Sequence, residues 1–140
     1  MYLTATRYLG FHFSPEKMQQ LLEIFPEVTN MTSVKGTVGE WRKANAIHAW
    51  FVKNVQDGDD DCDVYDVPRE KLEELLSTVN KVLDNPDLAE ELLPTQSGFF
   101  FGDTKYGEYY REDLVDTKKI LEKALSDDMW DWEFQYHSSW

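Results

Sequence analysis

The chain has 140 residues, a length that suits one compact domain with its own hydrophobic core. Hydrophobic residues make up 41% of the sequence, which argues against wholesale disorder, and no apolar run approaches the length of a membrane span. Lysine and arginine total 14 against 27 aspartate and glutamate residues, so the formal net charge is −13. Such a surface repels nucleic acid and anionic lipid and attracts basic proteins.

The N-terminal residues and the cysteine content bear on the compartment. Residues 1–10 lack the basic region and apolar block of a signal peptide. The single cysteine, Cys62, excludes an internal disulfide framework and fits a reducing environment. We therefore expect a cytoplasmic protein that does not contact a membrane.

The first forty residues predict a strand, a helix and a loop. Residues 2–13 alternate loosely and carry many aromatic side chains, which indicates a strand or a strand pair. Ser14 and Pro15 then resemble a helix N-cap and first-turn proline, and Pro26 ends that helix. Its apolar stripe consists of Met18, Leu21, Leu22 and Phe25. Residues 30–39 are polar and contain glycine, so they predict a loop with at most a short edge strand.

A central helix is predicted from Trp41 to about Gln56, followed by an acidic loop. One face of this helix carries Trp41, Ala44, His48, Phe51, Val52 and Val55. Trp50 lies nearly opposite this face, so we expect the helix to pack on two sides.

The second half of the chain predicts helices and a final strand. Pro68 begins an amphipathic helix that ends near Asn85, a shorter helix follows Pro86, and Asp103 or Thr104 begins another long helix. Residues 98–102, Gly-Phe-Phe-Phe-Gly, predict a buried strand or tight connector. Residues 130–137 alternate aromatic and polar side chains, as a half-buried strand does. We predict that this strand pairs with the N-terminal strand, giving a single α+β domain over residues 1–140 with four to five helices and a small antiparallel sheet.

The acidic loop, residues 57–63, is rich in carboxylates that could hold a metal ion. It superficially resembles an EF-hand loop, which needs glycine at its sixth position and glutamate at its twelfth. Counted from Asp57, these positions hold Cys62 and Pro68, so we predict neither a metal site nor a cofactor. The alternatives are a solvated turn or an acidic patch for a basic partner, formed by Asp57, Asp59, Asp60, Asp61 and Asp63.

No catalytic residue is predicted. The aspartates around Cys62 raise the pKa of a thiol, which disfavours a thiolate–imidazole pair with His48. His48 lies on an apolar face, where a buried core histidine is the more common role. The sequence contains no phosphate-binding glycine motif. Candidates for ligand or partner contact are the polar residues of the central helix and a tyrosine-rich segment, namely Arg42, Asn45, His48, Tyr106, Tyr110 and Arg111.

Three segments resemble a widespread family of small tailed-phage and prophage proteins, most of them hypothetical. They are WRKANAIHAWFVKNVQ, LLPTQSGFFFGDTKYGEYY and DLVDTKKILEKAL, and the likeness covers roughly residues 39 to 126. The resemblance implies a phage origin, the cytoplasm of a bacterial host and an accessory role. It supplies no catalytic residues.

Two functions follow as alternatives. The preferred hypothesis is a non-catalytic accessory protein that binds a basic host protein, for example as an acidic inhibitor of a defence or nucleic-acid-handling enzyme. The alternative is a module for a small, nucleotide-like ligand, or a minor enzyme, with a cleft around Arg42, Asn45 and His48. The charge favours the first hypothesis, because an anionic ligand needs a concentrated positive pocket on a molecule with only 14 basic residues.

Overall fold

The computed structural model describes residues 1–10, 13–98 and 102–139. These residues form four strands and five α-helices, so the predicted α+β class is confirmed. The strands are β1 (Tyr2–Tyr8), β2 (Ser33–Glu40), β3 (Tyr65–Val67) and β4 (Glu133–His137). The helices are α1 (Pro15–Ile24), α2 (Asn45–Asn54), α3 (Arg69–Asp84), α4 (Ala89–Leu92) and α5 (Glu108–Ala124), with short 3-10 turns at Pro86–Leu88 and Asp127–Met129.

The sheet is antiparallel, with the strand order β2-β1-β4-β3. The first and last strands pair at its centre, where Leu3 lies opposite Tyr136 and Ala5 opposite Phe134. The predicted pairing of the two terminal strands is thus confirmed. β3 was missed, because three residues are too few to show an alternating pattern.

The two faces of the sheet differ in polarity. Leu3, Ala5, Phe134 and Tyr136 are buried on one face, because successive side chains of a strand point in opposite directions. On the other face, Gln135 accepts a hydrogen bond from Lys35 at 2.7 Å and donates one to Asp66 at 2.8 Å. The polar face is therefore tied together across the strands, while the apolar face forms the core with the helices.

Helices α2 and α5 both contact the sheet. The Phe51 ring of α2 stacks on Tyr136, with ring centroids 3.9 Å apart. Ile120 of α5 packs directly against Gly39 of β2, where a Cβ atom would overlap its side chain. Glycine at position 39 therefore allows α5 to approach the sheet closely.

Helices α3 and α5 pack against each other through the predicted stripes. Leu72, Leu75 and Val79 of α3 are fully buried, as are Leu121 and Ala124 of α5. At the end of α5, the Arg69 guanidinium donates hydrogen bonds to the carbonyl oxygens of Leu125 (2.6 Å) and Met129 (3.2 Å). Leu125 is the C-cap of α5 and its carbonyl lacks an amide partner within the helix, so a cation satisfies it well.

Several predicted boundaries were wrong. α2 begins at Asn45 and not at Trp41, because Lys43 has a left-handed backbone (φ 64°) that interrupts a helix. α5 begins after Gly107 and not at Asp103 or Thr104. Residues 33–40, predicted mainly as loop, form β2, since pairing with β1 supplies the hydrogen bonds that its own composition does not favour.

The final strand is shorter than its alternating pattern predicted, because Trp130 lies before β4 and is 75% exposed. The predicted connector at Phe99–Phe101 lies outside the described residues. In the described part of the chain, no helix combines the length and apolarity needed to cross a membrane.

Candidate functional site

The segment before α2 presents two basic side chains at the rim of a cavity. The buried Trp41 indole donates a hydrogen bond to the Thr117 hydroxyl of α5 at 2.8 Å, which anchors the chain. The left-handed Lys43 then turns the backbone into α2. As a result, Arg42 and Lys43 are exposed and line a cavity of about 430 Å³ beside the N-terminus of α2. We call this cavity the α2 cleft.

Asn45 lines the α2 cleft, but its side chain is engaged internally. Its Oδ1 atom accepts a hydrogen bond from the Gln96 amide at 3.0 Å, and its Nδ2 atom donates one to the Asp103 carbonyl at 3.1 Å. The side chain is 5% exposed. A single buried amide therefore bonds to the backbone of both Gln96 and Asp103, which explains why an asparagine begins this helix.

Helix α5 forms the opposite wall of the α2 cleft through Tyr109, Tyr110 and Asp113. Burial, with the nearby charges of Asp116 and Glu112, raises the pKa of Asp113 to about 6. A half-buried carboxyl group with a perturbed pKa in a cavity is a common property of binding sites. Asp113 was missed by sequence reasoning, although it lies one helical turn after Tyr109.

Tyr110 stands between the α2 cleft and a second cavity of about 310 Å³. Its hydroxyl donates a hydrogen bond to the Leu93 carbonyl at 2.9 Å, and its ring meets the Tyr106 ring edge-on at 5.1 Å. Burial, followed by the influence of Tyr106, raises the pKa of Tyr110. Tyr106 and Arg111 line the second cavity and not the α2 cleft, so the predicted tyrosine-rich site is divided in two.

His48 points away from the α2 cleft and is fully buried. Its Nε2 atom lies 3.0 Å from Asp60 Oδ2, and its Nδ1 atom lies 2.7 Å from the Tyr136 hydroxyl. One tautomer satisfies all three groups, with Nε2–H donating to Asp60 and the tyrosine donating to Nδ1. Burial, with the charges of Asp60 and Cys62, raises the pKa of Tyr136.

The chain Asp60–His48–Tyr136 has the order of a proton relay, but it ends at a fully buried hydroxyl. A substrate cannot reach that oxygen in this conformation. The hydrogen bonds of Asp60, His48 and Tyr136 therefore attach the acidic loop to the core. The predicted cleft around Arg42, Asn45 and His48 is thus only partly assembled. Arg42 and Asn45 share a cavity, and His48 does not.

The acidic loop is shaped by its backbone as well as by His48. Asp57, Gly58 and Cys62 all have positive φ angles, of 52°, 92° and 65°. Asp61 accepts hydrogen bonds from the Asp63 amide and the Tyr65 hydroxyl, and these hold the pKa of Asp61 below its usual value. Among the described residues, no three acidic, histidine or cysteine side chains are placed to hold a metal ion.

A separate feature lies at the C-terminal end of α1. No residue of this helix is fully buried, and Met18, Leu21 and Leu22 of the predicted stripe are half-buried. Ile24 is 66% exposed, and Phe25 and Val28 in the following turn are 44% and 39% exposed. We call these three residues the α1 surface. The turn is fixed by a hydrogen bond from the Val28 amide to the Phe25 carbonyl at 3.0 Å.

No protein-family model, no curated protein and no solved structure matches this chain.

Proposed function

We propose that this protein acts by binding another protein through the α1 surface. The observation that carries the proposal is an amphipathic helix without a single buried residue, in a chain whose other long helices bury their apolar faces. Burying a large apolar side chain contributes about 1.5–3 kcal/mol. Exposed apolar side chains clustered at a helix end and the turn after it are typical of interfaces, whereas isolated ones, such as Trp130, are ordinary.

The charge around the α1 surface indicates the chemistry of the partner. Glu16, Glu23 and Glu27 are exposed on or next to α1, against one exposed lysine, Lys17. The molecule as a whole carries a formal net charge of −13. An apolar patch with an acidic rim fits a protein that has an apolar patch with a basic rim, and its association should be faster at low salt.

The resemblance to phage proteins extends this proposal. It makes a bacterial host protein in the cytoplasm the expected partner, and inhibition of a defence or nucleic-acid-handling enzyme the expected effect. Enzymes that handle nucleic acid carry basic surfaces, which an acidic protein can cover. Direct binding of nucleic acid by this chain is disfavoured by the same charge.

Site-specific crosslinking tests the proposal. A photo-crosslinking residue at position 25 should capture one discrete host protein from bacterial extract, and the same residue at position 64 should not. The captured protein is then purified, and its affinity is measured by calorimetry at low and high salt. We expect salt to weaken binding and Ile24→Glu to reduce the affinity by at least tenfold.

Val64→Glu is the matched control, because Val64 is 55% exposed, lies outside the α1 surface and receives the same charge. It should leave the affinity within about twofold, as expected for an exposed residue outside the interface. Equal loss in both variants, identical products from positions 25 and 64, or crosslinking only between copies of this chain would contradict the proposal.

A further inference from the structure

The α2 cleft has the size and lining of a small-molecule site. Its volume of about 430 Å³ lies within the range of ligand pockets. Its walls combine aromatic rings with charged groups from three parts of the chain: the start of α2, the segment before α5, and α5 itself. Asn45 fixes the first of these to the second through its two hydrogen bonds, so the lining is held in place without a ligand.

The basic side chains of the α2 cleft are unpaired. Arg42, Lys43 and Lys105 make no ion pair or side-chain hydrogen bond within the described residues, although the protein has almost twice as many acidic as basic residues. No side chain caps the N-terminus of α2, and Ala46 and Ile47 of its first turn line the cavity. The same cavity is also lined by Asp103, Glu112 and Asp113, so it presents three basic and three acidic side chains, none of them in an ion pair within the described residues.

The opposite wall carries an unpaired acid. Asp113 of α5 forms no ion pair and accepts no side-chain hydrogen bond among the described residues, and it lines the same cavity as Arg42 and Lys105. Opposite charges that face one cavity without reaching each other leave room for a molecule with both kinds of group. The exposed ring of Tyr109 lies at the same wall and offers a planar contact.

We propose that the α2 cleft binds a small aromatic molecule that carries both an anionic group and an amino or ammonium group. The anion lies against Arg42, Lys43 and the first amides of α2, and the nitrogen donates a hydrogen bond to Asp113. Adenosine monophosphate carries its phosphate and its amino group at opposite ends, whereas a free aromatic amino acid carries its carboxylate and ammonium on one carbon. Both have the two kinds of group, and each has a ring that Tyr109 can cover.

Three probes separate the possibilities: inorganic phosphate, adenosine 5′-monophosphate and L-phenylalanine. Each is titrated into the isotopically labelled full chain at neutral pH, and the amide resonances of Ala46 and Ile47, which line the cleft, are followed. We expect the nucleotide, the amino acid or both to shift these resonances and to bind at least tenfold more tightly than phosphate. Binding of one organic probe but not the other identifies the source of the ligand.

Two variants assign the ends of the ligand. Arg42→Ala should weaken the probe that binds by about tenfold, the loss expected for one charge-assisted contact. Asp113→Asn should weaken binding of that probe but not of phosphate, because it changes only the contact to the ligand nitrogen. The preference for the probe over phosphate should therefore fall. Arg111→Ala is the control, because it removes the same charge from a residue that lines the second cavity. It should change the affinity by less than twofold.

Three outcomes overturn the inference. Phosphate binding as tightly as both organic probes would mean that the cleft holds an anion alone. The absence of any shift at Ala46 and Ile47 would mean that the cleft is not a site for this class of molecule. Equal losses in Arg42→Ala and Arg111→Ala would assign the effect to the overall charge.

Discussion

On one side of α2, the His48 ring bonds to Asp60 and Tyr136, whereas at the start of the same helix Arg42 and Lys43 have no side-chain partner in the described residues. The first region is buried and satisfied, and the second is exposed and unsatisfied. Both contain residue types that perform chemistry elsewhere. The comparison shows that residue type alone identifies only a candidate functional residue. Whether its polar atoms already have partners inside the protein then distinguishes a structural role from a binding role.

The largest effect is expected at the buried region. His48→Ala removes a fully buried ring and leaves the Tyr136 hydroxyl and Asp60 without their partner. We expect the free energy of unfolding to fall by about 3–4 kcal/mol, from the cavity and the orphaned polar groups together. Urea denaturation measures this. A loss below about 1 kcal/mol would remove the distinction between the two regions.

Asn45 lies at the border, since its side chain is buried but lines the cleft. Asn45→Ala loses the hydrogen bonds to Gln96 and Asp103, and we expect a loss of about 2 kcal/mol in stability. Hydrogen exchange at the Gln96 amide should accelerate at the same time. If this amide exchanged at its original rate, the Asn45 side chain would not hold Gln96 in place.

At the α2 cleft, the free energy of unfolding should depend on pH through Asp113. Because the pKa of Asp113 is raised from 3.8 to about 6, the folded protein holds this proton more tightly than the unfolded chain does. The stability that the protonated Asp113 contributes is fully present below about pH 4 and is lost as the pH rises to about 6. It stays absent at higher pH. Asp113→Asn should remove this loss. After allowance for the half-exposed position, it should stabilise the protein by about 1 kcal/mol at pH 7.

That prediction is checked by measuring the unfolding free energy of both proteins from pH 4 to pH 8. The difference between them should grow with pH and then level off. A difference that is constant across this range would show that Asp113 titrates in the folded protein as it does in the unfolded chain.

The smallest effect is expected at the exposed basic residues. Arg42→Ala removes no bond within the described residues, so the free energy of unfolding should change by less than about 0.5 kcal/mol. Thermal denaturation measures this without any ligand present. A substantial loss would place Arg42 among the structural residues and weaken its assignment to a binding role.

The sequence was sufficient for the parts of the fold that depend on periodic burial. The stripe of α3, the inner face of α5 and the pairing of β1 with β4 were all predicted, because apolar spacing reports directly on which side of an element is buried. β2 was not predicted as a full strand, since its stability depends on β1 and not on its own composition.

The site was only partly predictable, for a related reason. Arg42 and Asn45 were identified, but Lys43, Lys105 and Asp113 were not, because their convergence depends on how the segment before α5 folds against α2. The left-handed backbone at Lys43 has no signal in a sequence of ordinary helix-forming residues. The role of His48 was open between a base and a core residue, and its partners at positions 60 and 136 lie too far along the chain to be inferred from spacing.

The central pairing of β1 with β4 also has a kinetic consequence. Thr4 and Gln135 are 131 positions apart, yet they are bonded, so the ends of the chain must meet before the four-stranded sheet is complete, whereas β1 and β2 can pair without β4. Such distant contacts slow folding, because the entropy of closing a long loop is lost before any contact compensates for it. β3 pairs with β4 in the described residues, so the remaining edge strand also depends on residues near the far end of the chain. We therefore expect the α3–α5 pair to form early and the sheet to be completed last.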